Sequence, residues 1–398
     1  MIKLEEYIDS LDKCSYCGYC QETCPLYISE LFEPYTARSR INLIRSVFLE
    51  KSWPLSPGVL KIIDSCMLCT QCTRTCSGRV PIDEIVIAAR SEIHRGIEFK
   101  KMVIKNLLTR RSLIKTLVNL GYLSQKYGLA PKIMPDLPKK TFEQAYSGTY
   151  SPAGKPRARV AYFVGCGTNF MFPDTGKSVV EVLNHNNIEV IIPPGQVCCG
   201  IPLMAQGDLQ SVVDMVLSNV KVFEKLEVDA IITDCTSCGM MLKEKAVRLM
   251  PKDSDLETRV TKFSGRIWEV TDYLSSVGLV APLAPLTEKY SYHVPCHHGW
   301  EKGVKDAPTK ILAQIPEAQY EEMQYPEGCC GGAGTYFINH KKISQKIRAR
   351  KIQSIKNTGA DTIVTQCPVC RYYLASQLQG QRVIHPVSLL AESYNVKG

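Results

Sequence analysis

In the first hundred residues the apolar positions recur every three or four places: Leu4, Tyr7, Ile8 and Leu11, then Ile41, Ile44, Val47 and Phe48, then Ile82, Ile85, Val86, Ala89 and Ile93. That spacing puts each set on one helical face, so 1–13, 37–49 and 82–93 read as short amphipathic helices, with 57–64 as another. Pro81 suits the entry to the third of these. Beyond residue 157 the pattern changes to short apolar runs, at 159–164, 230–233, 290–294 and 362–364, alternating with helical stretches at 208–225 and 340–356. Such alternation predicts α/β units with parallel strands.

Two stretches separate these regions. Residues 98–127 interleave Lys100, Lys101, Lys105, Arg110, Arg111, Lys115 and Lys126 with Val103, Ile104, Leu107, Leu108, Leu113, Ile114, Leu117, Val118 and Leu120. A basic amphipathic helix of this kind can lie on a membrane surface or a partner. With neighbouring domains at hand, its apolar face is expected to be buried against them. Prolines at 131, 135, 138, 152 and 156, with Gly148 and Gly154, then read as a linker ending near residue 157.

At 398 residues and 45% apolar composition, the chain has room for two or three domains with ordinary cores. Met1–Lys13 lacks the basic and apolar regions of a signal peptide, and no apolar run is long enough to span a bilayer. A cytoplasmic protein is therefore expected, and in that reducing compartment eighteen cysteines point to metal rather than to disulfides. Formal charge is +9. Metal held by several thiolates would carry net negative charge and lower that figure, so it does not imply nucleic acid.

The cysteines fall into two patterns. Cys14, Cys17, Cys20 and Cys24 are spaced C-x2-C-x2-C-x3-C and followed by Pro25. Cys66, Cys69, Cys72 and Cys76 repeat the run, with Ser77 where the proline would stand. This is the spacing of bacterial two-cluster ferredoxins, in which the fourth cysteine of each run serves the other cluster. It assigns Cys14, Cys17, Cys20 and Cys76 to one cubane [4Fe-4S] cluster, and Cys66, Cys69, Cys72 and Cys24 to a second.

The other ten cysteines form a duplicated frame. Cys166, Cys198-Cys199-Gly200 and Cys235-x2-Cys238 are followed by Cys296, Cys329-Cys330-Gly331 and Cys367-x2-Cys370, with offsets of 296 − 166 = 130, 329 − 198 = 131 and 367 − 235 = 132. In each repeat the first cysteine and the C-x2-C pair follow strands. Ligands gather at the carboxyl ends of strands in open α/β sheets, so all five are expected to converge, with the C-x2-C pairs opening helices. Zinc in one such site is an alternative that stays open, although its tetrahedral shell leaves one cysteine spare. His293, His297 and His298 surround Cys296, where they either bond sulfur and carry protons or, as expected here, satisfy backbone groups in a tight loop. Adjacent cysteines can serve one metal only where the backbone curls around it, which the flanking glycines permit. Gly331, Gly332 and Gly334 are expected to let backbone amides approach the metal, and they lack the spacing of a dinucleotide fingerprint.

These paired modules behind a two-cluster ferredoxin run resemble the CCG, or cysteine-rich, iron–sulfur family. Its members include iron–sulfur subunits of heterodisulfide reductase, of glycolate oxidase and of anaerobic glycerol-3-phosphate dehydrogenase. The resemblance covers nearly the whole chain and extends to Gly331-Gly332-Ala333-Gly334-Thr335-Tyr336 and to His385-Pro386-Val387-Ser388-Leu389-Leu390. The fold expected is α + α/β: a helical [4Fe-4S] dicluster ferredoxin-like domain at 1–97, the basic helix and linker at 98–156, and CCG domains at 157–284 and 285–398. The resemblance implies a noncubane [4Fe-4S] cluster on Cys166, Cys198, Cys199, Cys235 and Cys238, and another on Cys296, Cys329, Cys330, Cys367 and Cys370. It further implies an electron-transfer role between a flavoprotein dehydrogenase, acting on a 2-hydroxy acid or glycerol 3-phosphate, and a quinone or membrane subunit. Peripheral membrane association would go with that role. The alternative it carries is a catalytic chain that reduces a disulfide at a noncubane cluster, as in heterodisulfide reductase.

Overall fold

The computed structural model describes residues 2–93, 111–131, 134–298 and 306–395. In the N-terminal part the expected helices form. A 3-10 turn, Leu4–Tyr7, leads into Ile8–Asp12; Ala37–Ile44 is capped by Thr36, whose hydroxyl accepts from the Ser39 N–H at 3.3 Å. Pro57–Asp64 begins with proline and is capped in the same way by Ser56. Ile82–Ile93 is buried on every side from Ile82 to Arg90, more than the one-face pattern predicts. It packs against the N-terminal helices on one side and reaches Ala205 and Lys245 of the first repeat on another.

Among the described residues nine strands follow: β1 (Gly148–Tyr150), β2 (Ala158–Tyr162), β3 (Ile188–Ile192), β4 (Ala230–Thr233), β5 (Ile267–Glu269), β6 (Lys289–Tyr292), β7 (Gln319–Tyr320), β8 (Thr362–Val364) and β9 (Arg382–Ile384). They form two sheets, β1-β3-β2-β4-β5 and β7-β6-β8-β9. Apart from antiparallel β1, every pairing is parallel. The second sheet repeats the order β3-β2-β4-β5 strand for strand, so the duplicated cysteine frame is a duplicated fold. In each sheet the order reverses beside the first strand of the repeat, β2 or β6, which opens a crevice at the strand ends.

Two expectations are corrected. The first α/β unit begins before residue 157. Inside the presumed linker, Phe142–Ala145 forms a capped helical turn, fully buried Phe142 packs on Gly176, and β1 pairs with β3. Prolines at its ends punctuate this segment without preventing a short edge strand. The helix at Arg111–Lys126, for its part, buries only Val118 and Gly121 and leaves Leu113, Leu117, Leu120 and Leu123 between 44 and 58% exposed. It docks through its small-residue side, because a Cβ on Gly121 would lie 2.5 Å from Leu137. Lys100, Lys101, Val103, Ile104, Lys105, Leu107, Leu108 and Arg110 lie outside the described residues.

The three parts share cores. Ile85, Val86 and Ile63 of the N-terminal helices continue into Met204, Leu209 and Met241 of the first repeat. Tyr162 and Val190 of the first repeat meet Tyr292 and Leu389 of the second. Leu26, Tyr35 and Met67 pack with Tyr336 and Ile347, closing the N-terminal part onto the second repeat.

Candidate metal centres

The two C-x2-C-x2-C-x3-C runs fold alike. Each turns through a left-handed residue, Gly18 (φ 87°) or Thr70 (φ 64°), into a one-turn helix, Tyr19–Thr23 or Gln71–Thr75, that delivers Cys24 or Cys76. The helices lie side by side, with Thr23 and Thr75 hydroxyls 3.4 Å apart. The Cys76 loop leans on the first run: a Cβ on Gly78 would stand 2.6 Å from the Lys13 carbonyl, next to Cys14. A cavity is lined by Cys24, Cys66, Cys69 and Cys72, the expected set for the second cubane. In its wall, buried Arg40 donates to the Ile62 carbonyl at 3.0 Å and the Ser65 hydroxyl at 3.1 Å, bringing a fixed positive charge to the thiols.

In the first repeat Cys166 opens a helix after β2, Cys198 and Cys199 follow β3, and Cys235 caps the helix Thr236–Met240 that holds Cys238. The second repeat matches: Cys296 follows β6, and Cys367 caps Pro368–Ala375, which holds Cys370. The Cys330 and Cys370 sulfurs are 3.1 Å apart. The Gly331 and Gly332 N–H groups each point at a cysteine sulfur, of Cys329 and Cys330, at 3.3 Å. Gly331 has φ 86°, and a Cβ there would meet the Ser344 carbonyl at 2.6 Å, so this curl of backbone requires glycine.

The donor chemistry fits a metal. All eighteen cysteines are unbridged, and most of the ten in the repeats are buried. As thiols they are crowded against one another. Hydrogen bonding to Cys198, then burial, pushes Cys166 well above the ordinary thiol value, while neighbouring Cys198 and Cys238 draw Cys199 down to about 6. Burial pushes Cys69 up to about 12 and Cys72 well above the ordinary value. Such groups cannot all ionise together unless a cationic centre offsets their charge, which iron or zinc would do.

The sites adjoin one another. Thr70 donates to the Cys296 carbonyl at 3.3 Å, Gln71 to the Glu327 carbonyl at 2.6 Å, and His297 Nε2 lies 3.0 Å from the Leu68 carbonyl. The second ferredoxin run thus sits directly on the second five-cysteine site. Between the repeats, the Thr236 N–H donates to the Gln366 carbonyl at 3.1 Å, and a Cβ on Gly167 would lie 2.4 Å from Pro368.

The three histidines divide. His297 bonds the Leu68 carbonyl and the Ser237 hydroxyl, as expected for a loop residue. His298 joins a buried network of the Tyr292 hydroxyl at 2.9 Å, Gln366 at 3.2 Å, Glu269 at 3.4 Å and Asp272 at 3.5 Å. Burial pushes Glu269 up to about 8 there. His293 has no hydrogen-bond partner on either ring nitrogen, and it lies with Cys330 and Cys370, ligand atoms within 4.8 Å of one another. Burial holds it below the ordinary histidine value. Sequence reading passed over Arg40, Gln366 and the buried ions Asp83, Glu84 and Lys245. The one signal was an acidic pair opening an otherwise apolar helix.

Comparison with known proteins adds the family. Residues 10–80 match the 4Fe-4S dicluster domain, and residues 160–243 and 290–375 match the cysteine-rich domain, CCG. An uncharacterized iron-sulfur protein of Methanococcus maripaludis is 31% identical over 79% of this chain, which spans 57% of that protein's length. The "Probable glycolate oxidase iron-sulfur subunit" of Bacillus subtilis is 27% identical over 96% of this chain and 93% of its own. A Lactate utilization protein A 2 of Bacillus cereus is 30% identical over 60% of this chain and 99% of its own. Among solved structures, a hypothetical protein from Helicobacter pylori shares the fold, with a TM-score of 0.58 at 10% identity over 99% of this chain and 76% of that one. With both ferredoxin-type runs and both cysteine-rich repeats in place, the chain belongs to the CCG-domain iron–sulfur family.

Proposed function

We propose that the chain is the electron-transfer subunit of an oxidoreductase complex. It would relay electrons between a flavin-dependent dehydrogenase, acting on a 2-hydroxy acid or glycerol 3-phosphate, and an acceptor such as a quinone. The observation that carries this reading is the seam where Thr70, Gln71 and Leu68 touch Cys296, Glu327 and His297, joining the second ferredoxin run to the second five-cysteine site. Two cubane clusters would be held by Cys14, Cys17, Cys20 and Cys76 and by Cys66, Cys69, Cys72 and Cys24. Noncubane [4Fe-4S] clusters would be held by each set of five. When bound, such clusters take up and give back single electrons. The chain's own part is to fix their spacing and to wall the inner ones off from water.

Anaerobic purification of the chain from its own cells tests this. A flavoprotein should co-purify, and adding its donor should bleach the iron–sulfur absorbance. A solitary chain that no flavoprotein and donor can reduce would overturn it.

One observation favours a second reading, a catalytic disulfide reductase: neither repeat lacks a cysteine, and the thiols within each repeat crowd one another. Adding candidate disulfides to the half-reduced protein would then give a new paramagnetic signal. Zinc in one repeat would instead appear as a site silent in electron paramagnetic resonance, with zinc found in metal analysis.

For localisation, the proposal is the cytoplasmic face of a membrane. Among the described residues no helix is long and apolar enough to cross one. Support comes from the exposed Leu113, Leu117, Leu120 and Leu123, flanked by Lys115 and Lys126 with no acidic residue in the helix. The protein should sediment with vesicles of phosphatidylcholine mixed with phosphatidylglycerol. The double variant L117E/L120E should bind at least about tenfold more weakly.

A further inference from the structure

The two five-cysteine sites are built on equivalent backbones, and among the positions at which they differ is one beside the cysteines that holds phenylalanine in the first repeat and histidine in the second. Tyr162-Phe163-Val164-Gly165-Cys166 corresponds to Tyr292-His293-Val294-Pro295-Cys296. The match is structural as well as textual. The Phe163 N–H donates to the Ile232 carbonyl at 2.8 Å, and the His293 N–H donates to the carbonyl of the equivalent Val364 at 3.0 Å. Where the first repeat has a phenylalanine packed 6.0 Å from the Phe223 ring, the second has an imidazole.

That imidazole is costly where it stands. His293 is 1% exposed, and neither of its ring nitrogens has a hydrogen-bond partner. A buried polar group left unpaired is destabilising, so such a group in a core calls for a partner. The ligand-type atoms grouped with it within 4.8 Å are the sulfurs of Cys330 and Cys370. Both are candidate ligands of the second site, and that site already takes N–H groups from Gly331 and Gly332.

We infer that His293 is a positioning residue that donates its ring N–H to sulfur at the second five-cysteine site, making that site easier to reduce than the first. The inference rests on the proposal that both sites hold iron–sulfur clusters. Hydrogen bonds to cluster sulfurs offset the negative charge that an added electron brings, and so raise the reduction potential. One electron enters, supplied in the test by dithionite. No bond is made or broken, and the proton stays on His293. Phe163 offers no donor, so the first site lacks this stabilisation. The two repeats would therefore differ in potential despite identical cysteine sets, and an electron arriving through the seam between Thr70 and Cys296 would rest first at the more oxidising site.

The experiment is a redox titration of the intact, cluster-loaded chain, followed by electron paramagnetic resonance. The second site's signal is assigned by its survival in a Cys198→Ala variant. His293→Phe should shift that site's potential negative with its iron retained, while His293→Gln, which keeps an N–H donor, should restore much of the shift. Phe163→His should move the first site positive. An unmoved potential in His293→Phe, with iron intact, would overturn the role of His293 and leave the cluster reading standing. Loss of iron in both His293→Phe and His293→Gln would also overturn it, by making His293 a ligand. An unaltered chain with no iron signal at the second site would overturn both.

Discussion

At Gly331 the backbone turns through φ 86° so that two successive N–H groups face the sulfurs of Cys329 and Cys330. Replacing it with alanine would add strain at a left-handed residue and drive a Cβ to 2.6 Å from the Ser344 carbonyl. Gly331→Ala is expected to lose about 1–3 kcal/mol of stability and much of the second site's iron. Gly380→Ala, with a similar φ of 80° but open space around it, should cost only about 1 kcal/mol and keep its metal. Thermal unfolding with iron analysis checks both. The need for glycine beside a Cys-Cys pair was legible in the sequence, since adjacent side chains diverge unless the chain curls. Which histidine near Cys296 faces sulfur was not, because His293, His297 and His298 stand in the same few residues and only the fold sends them to different neighbours.

Among the elements, the helix Ile82–Ile93 depends on partners distant in sequence. Lys245 lies 2.7 Å from Asp83 and 2.8 Å from Glu84, all three at most 4% exposed, and Glu84 also takes Arg248 and the Tyr7 hydroxyl. Removing one member strands buried charge, so Lys245→Met should cost about 3–5 kcal/mol and loosen the ferredoxin-like part from the first repeat. Burial alone would raise the Asp83 carboxyl, but the charge and hydrogen bond of Lys245 outweigh it and hold it below the ordinary value. Its contribution is therefore complete above about pH 4 and lost as pH falls further, through the folded value. Burial alone would lower Lys245, and Asp83 and Glu84 outweigh that, so its contribution is complete below about pH 10 and lost as pH rises past it. The gap in thermal midpoint between wild type and Lys245→Met should then narrow in acid, where the carboxylates are protonated. Periodicity located this helix to the residue. It could not show a helix buried all round, because Asp83, Glu84 and Arg90 mimic a solvated face until Lys245 and the Ala205 carbonyl appear across the interface. The stretch 128–156 misled in the opposite sense: its prolines and glycines resemble a linker, yet β1 is paired by backbone groups that leave no mark in side-chain pattern.

Across the whole molecule the candidate centres run from surface to interior. Cys17 is exposed, and Cys14, Cys20 and Cys76 are partly so, whereas the repeats bury all their cysteines except Cys166, Cys296 and Cys329, which are half-buried. The duplication made the repeats legible, since offsets near 130 residues between equal cysteine frames require equal folds. Their packing was not legible, because it rests on contacts such as Gly167 on Pro368 and Thr70 on Cys296 that no periodicity announces. That packing leaves one centre open to solvent. With the four proposed clusters bound, an oxidant with an iron chelator should therefore strip the metal in phases, the first releasing about a quarter of the iron, the share of one cluster in four. Cys17→Ser should hasten that first phase without altering the later ones, because its set shares no cysteine with the other three. Stopped-flow absorbance of the chelate, compared between wild type and Cys17→Ser, reads this directly. Uniform release of all the iron in one phase would mean that the buried sets are as accessible as the outer one.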